Sequence, residues 1–168
     1  MKLKNKDLKK KLLKQVPIIL LFMSVLNNFD FNYLGLKYFS FNFSYILIFY
    51  FSLKRSSSLG YTYIFIAGLF NDVVNGSPIG MSSLIYLFLC GVAAYLRVIT
   101  LRTSLFKDWV AFVGAILILN SLSFIIVNLF FNFEISLINQ IVNIFFTSLL
   151  YLLFSSIFSF FIGSSSVR

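Results

Sequence analysis

The sequence predicts an all-α integral membrane protein, a bundle of about six transmembrane helices, and three observations predict it. Apolar residues fill 60% of the 168 positions, and mean hydropathy is +0.94. Charged residues make up only 11%, where a soluble domain carries about a quarter. The charges that do occur gather in short gaps between long apolar segments. A small domain leaves much of its surface wet, so no soluble core of this length hides so much apolar area. Lipid is therefore the expected solvent, and the length suits one domain.

A hydrocarbon core about 30 Å thick takes about 20 apolar residues of helix. Six segments approach that length. The first, 16–34, follows a lysine run and could be taken for a signal peptide. However, Ser24-Val25-Leu26-Asn27-Asn28 has no small-x-small cleavage site, so a retained helix is expected. Asn27, Asn28, Asp30 and Asn32 at its end read as an outer loop or a re-entrant start. The second segment, 39–53, is short and stops at Lys54-Arg55. The third, 59–74, runs into a polar turn, and the fourth, 79–96, begins after Pro78 and ends at Arg97. The fifth, 109–133, lies between Lys107 and Glu134. The sixth, 135–162, is long enough to tilt or to contain a break. The expected organisation is a basic segment over 1–15, a transmembrane domain over 16–163 and a tail over 164–168.

Lysine and arginine set the orientation, because cytoplasmic loops hold them in excess. Seven of the fourteen basic residues are Lys2, Lys4, Lys6, Lys9, Lys10, Lys11 and Lys14. With the N-terminus inside, these join Lys54, Arg55, Arg97, Arg102, Lys107 and Arg168 on the cytoplasmic side, leaving Lys37 outside. Asp30, Asp72 and Glu134 then fall at or near the outer side. Both termini are thus expected in the cytoplasm. The net charge of +9 is spent on topology, so no nucleic-acid partner is expected. The lysine run fixes orientation and touches anionic lipid. Leu8 and Leu12 on a basic helix offer it a second use, docking a cytoplasmic partner.

Chemistry-bearing residues are sparse. There is no histidine, and the single cysteine, Cys90, has no partner for a disulfide or a metal site. No phosphate-binding loop, H-E-x-x-H or G-x-S-x-G pattern occurs, and no two acids are close in sequence. Neither catalysis nor a cofactor or metal is expected.

The informative stretch is GLFNDVVNGSPIG over 68–80. Gly68 permits close helix contact. Asp72 is an ionisable residue near the end of an apolar helix, which is costly at membrane depth and marks a candidate site. Asn75-Gly76-Ser77-Pro78 reads as a tight turn, with Ser77 expected to cap the next helix and Asp72 near its positive end. On spacing alone, this is a capped hairpin between two helices.

These residues resemble the signature of the MreD family of rod shape-determining membrane proteins. The matching positions are Gly68, Asp72, Gly76, Pro78 and Gly80. The segment Ala94-Tyr95-Leu96-Arg97, an apolar helix ending in aromatic, leucine and base, is also similar. Outside 60–97 the likeness is one of hydropathy and length. The lysine-rich start and the presence of only two prolines depart from the family pattern. The resemblance implies a non-catalytic scaffold of the bacterial cell-elongation complex. It would bind MreC, and through it the MreB filament and the wall-synthesis enzymes. That family is itself similar to the substrate-binding S subunits of energy-coupling-factor transporters. The alternative it implies is therefore a small-molecule-binding subunit of a vitamin transporter.

Weaker signals remain. Cys90/Ala94 and Ala111/Ala115 are small residues four apart, a spacing that favours close helix packing within the bundle. Asn120, Asn128, Asn132, Asn139, Gln140 and Asn143 dot helices five and six, where they suit hydrogen bonding between helices.

Overall fold

The computed structural model of the chain describes residues 15–26, 40–55, 58–99, 104–131 and 137–163. It is all-helical, with six helices and no strand among the described residues. They are α1 (Gln15–Leu26), α2 (Phe43–Lys54), α3 (Tyr61–Asn75), α4 (Met81–Ile99), α5 (Leu105–Phe131) and α6 (Leu137–Gly163). Three helices are long and apolar enough to cross a membrane: α4, α5 and α6. The first three are shorter, at 12 to 15 residues for α2 and α3. At 1.5 Å per residue, α2 covers only ~18 Å, less than a hydrocarbon core.

The expected boundaries shift by a few residues. The fifth helix begins at Leu105, a turn before Trp109, because Ser104 caps it: its Oγ accepts from Lys107 N at 3.3 Å. The sixth runs unbroken through 27 residues. The lysine run, the Asn27–Asn32 cluster, Lys37, Arg102, Asn132, Glu134 and the 164–168 tail lie outside the described residues.

The chain divides into two compact units. In the first, α1, α3, α4 and α2 from Leu47 onward pack together. Phe22 of α1 meets Phe70 of α3 edge-on at 6.0 Å. α2 is apolar on all sides, and Ser44 to Leu53 are buried without interruption. A helix with no polar face has to be surrounded, and this one is.

The second unit is built on α5 and α6, with 40–42 and the first turn of α2. Phe112 stacks on Tyr151 with ring centroids 4.3 Å apart. Trp109 Nε1 donates to the Ser148 carbonyl at 2.8 Å, and Gln140 Nε2 to the Asn120 carbonyl at 3.0 Å. Asn143 Nδ2 donates to Ser40 Oγ, while Asn42 N donates to Thr147 Oγ1. Asn120, Gln140 and Asn143 therefore bond across or along helices, whereas Asn128 and Asn139 are exposed.

α6 is inverted relative to a helix in water. Its buried residues are Thr147, Tyr151 and Ser155, spaced four apart on one face. Its exposed side is mostly apolar, with Ile138, Ile141, Phe145, Leu149, Leu153 and Phe160 beside the polar Asn139, Ser156 and Ser159. Polar groups inside and apolar groups outside is the arrangement demanded where lipid is the solvent.

Candidate functional site: the α3–α4 hairpin

α3 ends in a glycine turn. Gly76 takes φ +63° and ψ 24°, and its N–H bonds to the Asp72 carbonyl. Ser77 N reaches the same carbonyl at 3.0 Å. A left-handed residue at this position strains any side chain but glycine's, so the sequence stops the helix here. Pro78 follows, and its carbonyl accepts from Met81 N at 3.1 Å. Gly80, at φ +96°, opens α4, with its carbonyl accepting the first helical bond from Leu84 N.

That opening leaves α4 without a cap of its own. A helix start has orphan N–H groups, usually met by a Ser, Thr, Asn or Asp side chain one residue before the helix. Gly80 occupies that place because the backbone turns left-handed there, and it has no side chain to offer. Asp72 supplies the missing acceptor from the neighbouring helix. Its Oδ2 accepts from Gly80 N at 2.7 Å, and its Oδ1 accepts from Ser82 N at 2.9 Å. Oδ1 also accepts from Ser77 Oγ at 2.9 Å. Asp72 is wholly buried, at 0% exposure. One residue thus closes α3 through its carbonyl and opens α4 through its carboxyl. An acidic side chain also suits the positive end of the α4 dipole.

Ser77 is not the cap of α4. It sits four residues before Met81 and donates its hydroxyl proton to Asp72 instead. The carboxyl oxygens hold the position that the serine was expected to fill.

Below the turn, α3 and α4 touch backbone to backbone. A Cβ added at Gly68 would lie 2.3 Å from Ser83 Cα and 2.5 Å from Ser83 N. Ser83 Oγ donates to the Phe65 carbonyl at 3.0 Å, and Asn71 Nδ2 donates to Ser82 Oγ at 2.9 Å. Gly68, Asp72, Gly76, Pro78 and Gly80 therefore all belong to one hairpin. Sequence reasoning passed over Asn71, Ser82 and Ser83, which stitch it laterally. Polar side chains grouped one turn either side of the glycine turn were the available signal.

The paired small residues are packing positions. Cys90 is buried and accepts a hydrogen bond from Ser52 Oγ of α2 at 3.2 Å, and Ala115 is buried on α5. Ala94 and Ala111 are half-buried. A further acid, Asp108, is buried in the first turn of α5, with no motif around it to mark it in the sequence. An acid that close behind a capping serine suits a helix start. Among the described residues, no group of His, Cys, Asp or Glu is placed to hold a metal ion.

The hairpin can rigidify two helices and fix their crossing. Its buried carboxyl already has three donors, two of them backbone N–H groups. Comparison of the chain with family models, with curated proteins and with solved structures finds no match.

Proposed function

We propose that the chain is a non-catalytic, MreD-like scaffold of a bacterial cell-elongation complex, with six membrane passes and both termini in the cytoplasm. It would recruit an MreC-like partner through helix faces, and through that partner MreB and the wall-synthesis enzymes. One observation carries the reading. The five positions on which the resemblance rests meet in a single hairpin, with Gly68, Asp72, Gly76 and Gly80 each in a role specific to its residue type. A carboxyl committed to backbone donors suits a fixed architectural part better than a ligand-exchanging site. In lipid, association rests on close packing and a few polar contacts, which rigid helix faces serve well.

The decisive measurement is paired. Depletion should turn rod-shaped cells round and release MreC from its membrane clusters, while uptake of labelled vitamins stays unchanged. Normal rods with lost uptake would promote the transporter-subunit reading instead.

Topology has its own test. Cys90 is first replaced by alanine, and single cysteines are placed at Ile79 and Ser104, which are both exposed. An impermeant thiol reagent applied to intact spheroplasts should label position 79 and spare 104. Labelling of 104 from outside would overturn the orientation argued from the basic residues.

A further inference from the structure

One end of the first unit collects cations and tyrosines. The end of α2, the start of α3 and the last turns of α4 converge on a narrow cleft lined by Ser52, Leu59, Tyr61, Cys90 and Ala94. Lys54 lies in the last turn of α2 and Arg97 in the last turn of α4. Arg97 Nη1 donates to the Ser52 carbonyl at 3.3 Å, which brings its guanidinium to the α2 terminus carrying Lys54 and Arg55. Tyr61 and Tyr63 stand exposed at the start of α3, at 62% and 48%. Exposed tyrosines beside Lys and Arg at the ends of apolar helices mark a membrane–water interface.

We infer that Arg97, with Arg55 and Lys54, seats the phosphate of an anionic phospholipid headgroup at the α2–α4 end of the first unit. The inference rests on the membrane reading of the chain, and it is independent of the MreC partnership. Three features support it. A guanidinium has five N–H groups in a rigid fork, and the Ser52 carbonyl takes only one from Arg97. Satisfying the end of α2 alone therefore leaves most of the fork directed elsewhere, and at an interface the abundant anionic acceptor that a fork can grip through two oxygens is phosphate. The contact with Ser52 also holds the arginine, which reduces the rotamer freedom lost when a headgroup binds. Basic pockets between membrane helices are recognised seats for anionic headgroups. The apolar groove on α4 lined by Leu84, Leu87, Phe88, Gly91, Val92 and Tyr95 is no part of this seat. By helical spacing it lies across α4 from Arg97, whose register is that of Tyr86, Cys90 and Ala93.

The test uses the full chain in nanodiscs of mixed phosphatidylglycerol and phosphatidylcholine, released into the gas phase for native mass spectrometry. The wild type should keep phosphatidylglycerol in preference to phosphatidylcholine. Arg97→Gln should cut that preference about fivefold, the share of one cation near the surface. Arg97→Lys keeps the charge and a donor for Ser52, so it should fold normally yet lose part of the preference with the fork. Unchanged preference in both variants would remove the seat while leaving the membrane reading intact. Failure of the chain to enter nanodiscs would remove the membrane reading itself. Inorganic phosphate at millimolar concentration should leave the lipid in place. Displacement by it would mean a soluble phosphate ligand, and would overturn the lipid assignment.

Discussion

Asp72→Ala is expected to destabilise the protein by about 3 kcal/mol, because it strands three donors at once. Ser77 Oγ, Gly80 N and Ser82 N all lose their acceptor. The serine hydroxyl can turn to another partner, whereas the two backbone N–H groups are fixed by the turn and the first turn of α4. Loss of a capping side chain alone costs ~1 kcal/mol, and each N–H left buried adds to that. Asp72→Asn should cost less than Asp72→Ala. One amide oxygen can still serve Ser77 and Ser82, the two donors now on Oδ1. The amide nitrogen would then face Gly80 N, donor against donor, where Oδ2 now accepts at 2.7 Å. Thermal unfolding in detergent, followed by size-exclusion chromatography, should rank wild type above asparagine and asparagine above alanine. Equal stability of the alanine variant and wild type would dismiss the capping role. If the hairpin also presents a partner surface, Asp72→Ala should impair rod shape more than Asp30→Ala does.

The hairpin was legible in the sequence because its residues are close along the chain and each has a backbone reason to be there. Gly76 and Gly80 announce positive φ, Pro78 announces a break, and an acid four residues before the first glycine lies on the helix that the turn closes. The identity of the cap was not legible. Ser77 is nearer in sequence to α4, and only the folded turn reveals that a left-handed Gly80 moves the helix start out of its reach. The longer-range bonds gave even less sign. Trp109 with Ser148, Arg97 with Ser52, and Asn42 with Thr147 join residues 39, 45 and 105 positions apart. Nothing in local spacing selects those partners over the many other polar residues. The number of helices could be read from hydropathy, since most apolar runs end at a charge or a glycine–proline turn. Their lengths could not be read as reliably. α2 is apolar enough to look like a spanning segment, yet it has only 12 residues and Ser44 to Leu53 are all buried. Hydropathy measures apolar character and does not separate a lipid-facing helix from one enclosed by protein.

Gly68→Ala should be the other severe substitution, for a reason opposite in kind: it adds one carbon where none fits. The new Cβ would stand 2.3 Å from Ser83 Cα and 2.5 Å from Ser83 N, well inside van der Waals contact. Those neighbours are backbone, so no rotamer change relieves the clash, and α3 and α4 must move apart. Separation would stretch the Ser83–Phe65 and Asn71–Ser82 bonds together with the Asp72 cap. Overpacking of this kind costs ~1–3 kcal/mol before those bonds are counted. It opposes the gain of ~1 kcal/mol that alanine ordinarily brings over glycine inside a helix. Gly91, within α4, supplies the control. A Cβ there meets nothing within 4 Å, so Gly91→Ala should be neutral or mildly stabilising. The same chemical change is thus expected to have opposite signs at two helical glycines of one hairpin. A second variant isolates the cause. Ser83→Gly removes the serine side chain but leaves its Cα and N in place, so it should not rescue Gly68→Ala. Rescue by Ser83→Gly in the same thermal assay would show that the hydroxyl, 2.8 Å from the added carbon, set the limit rather than the backbone.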